Sequence, residues 1–107
     1  MMLNKNEEIA VKALKEQVSS RYPVVDFRIF GSKARGDGSP YSDIDVMIEI
    51  AESNPNVESE IYDTVFDINL EFDCFISVII FTRGEIEEGP LSESPIYKVI
   101  MREGVSI

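Results

Sequence analysis

The sequence predicts a small α/β (α+β) fold, in which a mixed β-sheet of three to four strands carries its helices mainly on one face. Apolar residues recur at helical spacing over residues 4–20 and 57–70, and they alternate with polar residues over 24–30 and 43–50. The most apolar run, 72–81, is rich in branched and aromatic side chains, which is typical of a buried strand. The order helix, strand, strand, helix, strand, helix therefore indicates one sheet with a helical layer.

The predicted helices have recognisable ends. Asn4 can cap the first helix, and Glu7, three residues later, can complete a capping box. The last helix is expected to begin near Pro95 and to end before Gly104. The tail, residues 105–107, predicts a short edge strand.

Glycine and proline divide the rest of the chain. Pro23 and Gly31 bound the first strand, and the breakers that follow predict one short helical turn after Ser32 and then a loop. Residues 82–93 are acidic and also rich in breakers. They predict a mostly exposed connection with one short turn at 84–88.

Length and charge restrict the classes of function. The 107 residues are the size of one domain, so residues 1–107 are expected to form a single domain. A net charge of −10 argues against direct nucleic-acid binding, which needs a basic surface. No segment resembles a signal peptide or a membrane span, and the lone Cys74 excludes an intrachain disulfide. These features predict a cytoplasmic protein. The absence of histidine excludes histidine triads and zinc hydrolase schemes.

The candidate site lies in residues 30–50, where a glycine-serine turn and a basic loop precede an acidic strand. Asp43 and Asp45 stand two apart, so both carboxylates point to one face of a strand and repel each other unless a cation neutralises them. Their oxygens suit Mg²⁺. Gly31 and Ser32 offer a close turn, a hydroxyl and amides that can bind an anion. The acids alone would also fit the solvent face of an edge strand, but beside this turn they indicate a nucleoside triphosphate site.

The string GSKARGDGSPYSDID, residues 31–45, resembles the signature of the DNA polymerase beta nucleotidyltransferase superfamily. It is similar to the minimal nucleotidyltransferases of bacteria and archaea. Such proteins are often the antitoxin of a pair whose toxin is a HEPN-domain ribonuclease. The resemblance covers most of the chain, since the order of elements also fits the minimal catalytic core.

The resemblance implies a two-metal nucleotidyl transfer, with ATP as the donor and two Mg²⁺ ions held by Asp43 and Asp45. The residues that would contact the triphosphate are Gly31, Ser32, Lys33 and Arg35. Lys33 and Arg35 could also be ordinary loop charges, and Arg35 is the better candidate because its forked donors match phosphate oxygens.

The superfamily usually supplies a third carboxylate from a neighbouring strand. Asp73 is the predicted third catalytic and metal-binding acid, because it stands at the start of the strand predicted over 72–81. Glu71 and Asp67 are alternatives. Asp73 could instead be a solvated strand cap.

Two functions remain open at this stage. The resemblance implies an enzyme that transfers a nucleoside monophosphate, AMP from ATP, to a hydroxyl of a HEPN-domain partner protein. The alternative is a non-catalytic nucleotide-binding module that neutralises a partner by contact. Nucleobase, acceptor and oligomeric state, whether homo- or hetero-oligomer, stay undecided.

Overall fold

A four-stranded mixed sheet forms the centre of the computed structural model, which describes residues 1–107. Its strands are β1 (Val24–Phe30), β2 (Ile44–Ile50), β3 (Ile76–Thr82) and β4 (Val105–Ser106). Their spatial order is β3-β2-β1-β4. β1 pairs antiparallel with β2 and β4, whereas β2 and β3 run parallel. The predicted mixed sheet of three to four strands is thus confirmed, and β4 is the predicted edge strand.

Five helices connect these strands. They are α1 (Lys5–Arg21), α2 (Gly31–Arg35), α3 (Pro55–Phe72), α4 (Arg83–Glu87) and α5 (Pro95–Glu103), with a 3-10 turn at Pro90–Glu93. Asn4 caps α1 and forms the predicted capping box with Glu7. Asn54 caps α3 by accepting a hydrogen bond from the amide of Val57. None of these helices combines the length and the apolarity that a membrane span requires.

The two faces of the sheet are covered unequally. On one face, α1 and α3 pack over the strands and form a cluster of 16 buried residues, which includes Ile44, Val46 and Ile48 of β2. On the other face, α5 covers only part of the sheet, and Met47, Phe81 and Ile100 form a small cluster. The two long helices therefore share one face, as predicted, and the second face stays partly open.

The start of β3 differs from the sequence prediction. The apolar run begins at Phe72, but Phe72 is the last residue of α3, and β3 begins only at Ile76. Between them, Asp73 ends the helix with a left-handed backbone, φ 51°. The side chain of Asn69 fixes this turn, because it accepts a hydrogen bond from the amide of Ile76 and donates one to its carbonyl.

Candidate functional site

Two carboxylates open β2 on the face opposite the main core. Asp45 is the second residue of the strand and half-buried, while Asp43 lies just before the strand and is exposed. Burial raises the pKa of Asp45, the negative charge of Asp43 raises it further, and the Arg35 guanidinium opposes both. The pair therefore has the mutual repulsion that a bound cation would relieve.

The glycine-serine turn lies directly against these carboxylates. Gly31 begins α2 with φ 74°, and a Cβ at this position would overlap Oδ2 of Asp45. Further along the loop, a Cβ on Gly38 would lie 2.8 Å from Oγ of Ser32. Glycine at these two positions lets the turn and loop close around the Asp45 carboxylate and the Ser32 hydroxyl.

The outer side of the turn binds an anion in this structure. The Glu103 carboxylate, from the end of α5, accepts hydrogen bonds from the Gly31 amide at 3.3 Å and from Nη1 of Arg35 at 2.9 Å. Arg35 also donates from Nε to Asp37 at 3.0 Å, and this bond, with Glu103, raises the pKa of Arg35. The turn and Arg35 thus hold a carboxylate in this structure, and their contact with a triphosphate stays a prediction. Sequence reasoning missed Glu103, because nothing local connects it to a turn 72 residues earlier.

Lys33 lies on the opposite side of α2, and here the structure corrects the prediction. Its side chain is 2% exposed, and its Nζ lies 3.2 Å from Oε2 and 3.3 Å from Oε1 of Glu7 on α1. Residues two apart on a helix face different directions, so Lys33 turns inward while Arg35 turns outward. The Lys33 ammonium balances a buried carboxylate and is not available to a phosphate.

The structure does not bring a third acid to the pair. No group of three or more Asp, Glu, His or Cys side chains is close enough to hold a metal ion. Asp73 caps α3 and does not begin β3, while the alternatives Asp67 and Glu71 are exposed on α3. Asp73 was expected at the start of the strand, and it lies instead at the end of α3.

Ser77 occupies the neighbouring position on β3. It lies beside Asp45 in the parallel register, and its hydroxyl donates a hydrogen bond to Oδ2 of Asp43 at 3.3 Å. Sequence reasoning missed Ser77, since the register of two parallel strands separated by a helix cannot be read from the chain. The adjacent strand therefore supplies a hydroxyl where a carboxylate was expected.

The residues present fit a Mg²⁺ ion. Mg²⁺ is commonly held by one or two carboxylates, with substrate phosphates and water completing its octahedron. Asp43 and Asp45 provide the two carboxylates, and the anion-binding turn lies in contact with Asp45. The two carboxylates and the turn therefore suit a Mg²⁺ ion that would also be coordinated by a phosphate group.

Two carboxylates at the start of a central strand, against an anion-binding glycine-serine turn, define a protein of the nucleotidyl-transfer class. Residues 11–105 match the model of the nucleotidyltransferase domain, and the chain belongs to this family. This family generally uses nucleoside triphosphates and divalent metal ions. The predicted membership of the nucleotidyltransferases is confirmed.

Solved structures share the fold. A toxin–antitoxin crystal structure with AMP-PNP superposes with a TM-score of 0.63 at 14% identity, over 92% of this chain and 70% of the other. A protein from Sulfolobus solfataricus assigned as a nucleotidyltransferase superposes with a TM-score of 0.56 at 22% identity, over 99% of this chain and 89% of the other. A third structure, assigned as a minimal nucleotidyltransferase, superposes with a TM-score of 0.58 at 19% identity, over 92% of this chain and 94% of the other. No curated protein is significantly similar in sequence. At these identities the likeness concerns the fold alone.

Proposed function

We propose that this protein transfers AMP from ATP to a hydroxyl group of a partner protein, as the antitoxin of a pair whose toxin is a HEPN-domain protein. The observation that carries the proposal is the contact between the anion-binding turn and the carboxylate pair, at Gly31 and Asp45. A triphosphate on the turn would have its phosphates beside the carboxylates. The toxin–antitoxin structure with AMP-PNP supports the choice of an adenine nucleotide and of a toxin as the partner.

In the proposed reaction, the acceptor hydroxyl loses its proton to solvent and its oxygen forms a bond to the α-phosphorus of ATP. The bond from the α-phosphorus to the oxygen that bridges to the β-phosphate breaks, so that pyrophosphate leaves. Gly31 and Ser32 orient the triphosphate, and Arg35 neutralises its charge after exchanging Glu103 for phosphate oxygens. Asp43 and Asp45 would hold Mg²⁺. Bound Mg²⁺ supplies charge stabilisation at the phosphates during an in-line displacement.

The two-ion form of the proposal depends on ligands from outside this chain's acid pair. Two carboxylates can share an ion with phosphate oxygens, but a second ion would need the substrates to complete its coordination, because no third acid joins the pair. A cytoplasmic location, which the free thiol of Cys74 supports, would supply ATP and Mg²⁺. In this proposal, residues 1–107 form one domain.

Label transfer tests the proposal directly. The protein is incubated with Mg²⁺, the product of the neighbouring gene, and ATP labelled at the α-phosphate. We expect label on the partner, and none with the Asp43→Asn/Asp45→Asn variant. If none of the four labelled nucleoside triphosphates modifies the partner, with both proteins folded, the enzymatic proposal is overturned.

The alternative, neutralisation by contact, is favoured by one observation: Ser77 stands beside Asp45 where a third acid would be expected. The same double variant separates the two functions. A contact inhibitor still protects cells from its partner after both aspartates are replaced, whereas a transferase no longer does.

A further inference from the structure

The C-terminal half of α3 carries an apolar stripe that nothing in the chain covers. Tyr62, Phe66 and Leu70 follow one another at intervals of four residues and lie on one side of the helix. Their exposed fractions are 49%, 63% and 68%, and Phe75, just before β3, is 69% exposed. We call these four side chains the α3 stripe. Apolar side chains that cluster in this way mark an interaction surface, unlike single exposed ones.

The α3 stripe leads to the carboxylate pair. Phe66, Leu70 and Phe75 line a groove of about 390 Å³ together with Asn69, Asp73 and Cys74. Asp73, Cys74 and Phe75 also line the next groove, of about 320 Å³, which reaches Tyr41 and Ser42. Ser42 precedes Asp43, and the carbonyl of Phe75 accepts a hydrogen bond from the amide of Ile44 at 2.8 Å. A protein that lies along both grooves therefore reaches the start of β2.

Charge indicates what kind of partner fits. Asp63, Asp67 and Glu71, again at intervals of four, form a parallel row beside the stripe, and all three are exposed. Asp73 adds a fourth acid at the end of the row. Membrane surfaces and nucleic acids are negative and would be repelled. A second copy would place one acidic row against another, in a chain whose net charge is −10.

We propose that the α3 stripe and its acidic row dock a protein that presents an apolar ridge flanked by lysine or arginine, and that this protein is the acceptor of the transfer. The second half of this statement rests on the proposed function; the docking itself does not. An amphipathic basic helix is the simplest element with such a surface. Asp73 then belongs to the docking surface, next to the site, and not to the metal ligands.

The test uses two synthetic helical peptides as probes, one with leucine on one face and arginine on its flanks, the other with glutamate in place of arginine. Binding is measured by fluorescence anisotropy at several salt concentrations. We expect the arginine peptide to bind the wild-type protein and the glutamate peptide not to bind. Phe66→Ser/Leu70→Ser should weaken binding about tenfold or more, because the apolar contact is lost. Ile9→Ser, an exposed apolar residue of α1, is the matched control and should leave binding unchanged.

Charge is tested with a second matched pair. Asp63→Asn/Asp67→Asn and Glu87→Gln/Glu88→Gln remove the same number of charges from exposed positions. We expect only the first variant to weaken binding and to reduce its salt dependence. Equal effects would show attraction to the net charge alone and would overturn the proposal, as would failure of the arginine peptide to bind.

Two further results separate the explanations. Self-association of the wild type in sedimentation experiments, lost in Phe66→Ser/Leu70→Ser, would assign the stripe to a second copy and overturn the proposal. The Asp43→Asn/Asp45→Asn variant should bind the arginine peptide as the wild type does. If docking persists while no nucleotide is transferred to any partner, the proposed function fails and the docking surface stands.

Discussion

The two faces of β2 perform different tasks. Ile44, Val46, Ile48 and Ile50 point to one face and are fully buried beneath α1 and α3. Asp43 and Asp45 point to the other face, where α5 leaves the sheet partly open. Because side chains alternate along a strand, the buried residues stabilise the fold, while Asp43 and Asp45 would serve the proposed chemistry. Substitutions of the isoleucine and valine side chains should therefore alter folding with little effect on activity, and substitutions of Asp43 and Asp45 should do the reverse.

The largest effect is expected from the carboxylates. Asp43→Asn/Asp45→Asn should lower the rate of AMP transfer about 1,000-fold or more, equivalent to about 4 kcal/mol, because the cation ligands are lost. Rates are measured by label transfer. Val46→Ala is the control on the opposite face: it should cost about 2 kcal/mol of unfolding free energy, with the rate per folded molecule unchanged. A large activity loss in the Val46 variant would contradict the separation of the two faces.

The same double variant should gain slightly in stability at neutral pH. The pKa of Asp45 is raised in the folded protein by burial and by Asp43. A carboxyl whose pKa is raised on folding destabilises the folded protein as pH rises from the ordinary pKa to the raised pKa. The destabilisation persists at higher pH. Thermal unfolding without Mg²⁺ should therefore show the wild type losing stability over that interval, and the variant losing less.

The buried ion pair between Lys33 and Glu7 should give the largest effect on the free energy of unfolding. Lys33→Met leaves Glu7 as an unpaired buried charge and should cost about 3 kcal/mol in chemical unfolding. Lys33→Met/Glu7→Gln should recover most of this loss, since glutamine keeps the capping box. The Michaelis constant for ATP of the folded fraction should stay unchanged. A large increase would restore Lys33 as a phosphate contact.

Two glycines with positive φ separate backbone strain from steric overlap. Gly31→Ala and Gly36→Ala introduce similar strain, but only a Cβ on Gly31 would meet Asp45, while nothing lies within 4 Å of one on Gly36. We expect about 1 kcal/mol of destabilisation at Gly36 and about 2 kcal/mol at Gly31. Only the Gly31 variant should also lose Mg²⁺ affinity, measured by calorimetry. Equal effects at both positions would indicate that the contact with Asp45 is unimportant.

The smallest expected effect concerns the anion on the turn. Glu103→Gln removes the carboxylate that occupies the Gly31 amide and Arg35, so ATP should bind about threefold more tightly, within the range of a partly exposed ion pair. Glu93→Gln, which removes the exposed pair with Lys98, is the control and should leave binding unchanged. Weaker ATP binding in the Glu103 variant would show that this carboxylate positions Arg35 and does not compete with phosphate.

Sequence patterns predicted the elements well where breakers bound them. Pro23 and Gly31 bound β1, and its limits agree with the alternation. At β3 the pattern failed, because the apolar side chain of Phe72 suits a helix end as well as a strand start. The left-handed backbone at Asp73 and the hydrogen bonds of Asn69 show where the helix stops.

The site was predictable in part for a similar reason. Asp43, Asp45 and Gly31 lie on one continuous stretch, so their proximity follows from strand and turn geometry. Glu103 and Ser77 reach the site through tertiary packing and strand register, which local spacing does not contain. The inward direction of Lys33 depends on the position of α1, which is likewise set by packing.

The contact between Gly31 and Asp45 also has a thermodynamic consequence. The turn lies so close to the Asp45 carboxylate that, in the proposed function, occupancy of the anion position is expected to affect occupancy of the cation position. Linkage then requires reciprocity: whatever factor the nucleotide adds to the affinity for Mg²⁺, Mg²⁺ must add to the affinity for the nucleotide. In the proposed function, the nucleotide and Mg²⁺ would therefore bind as a coupled pair.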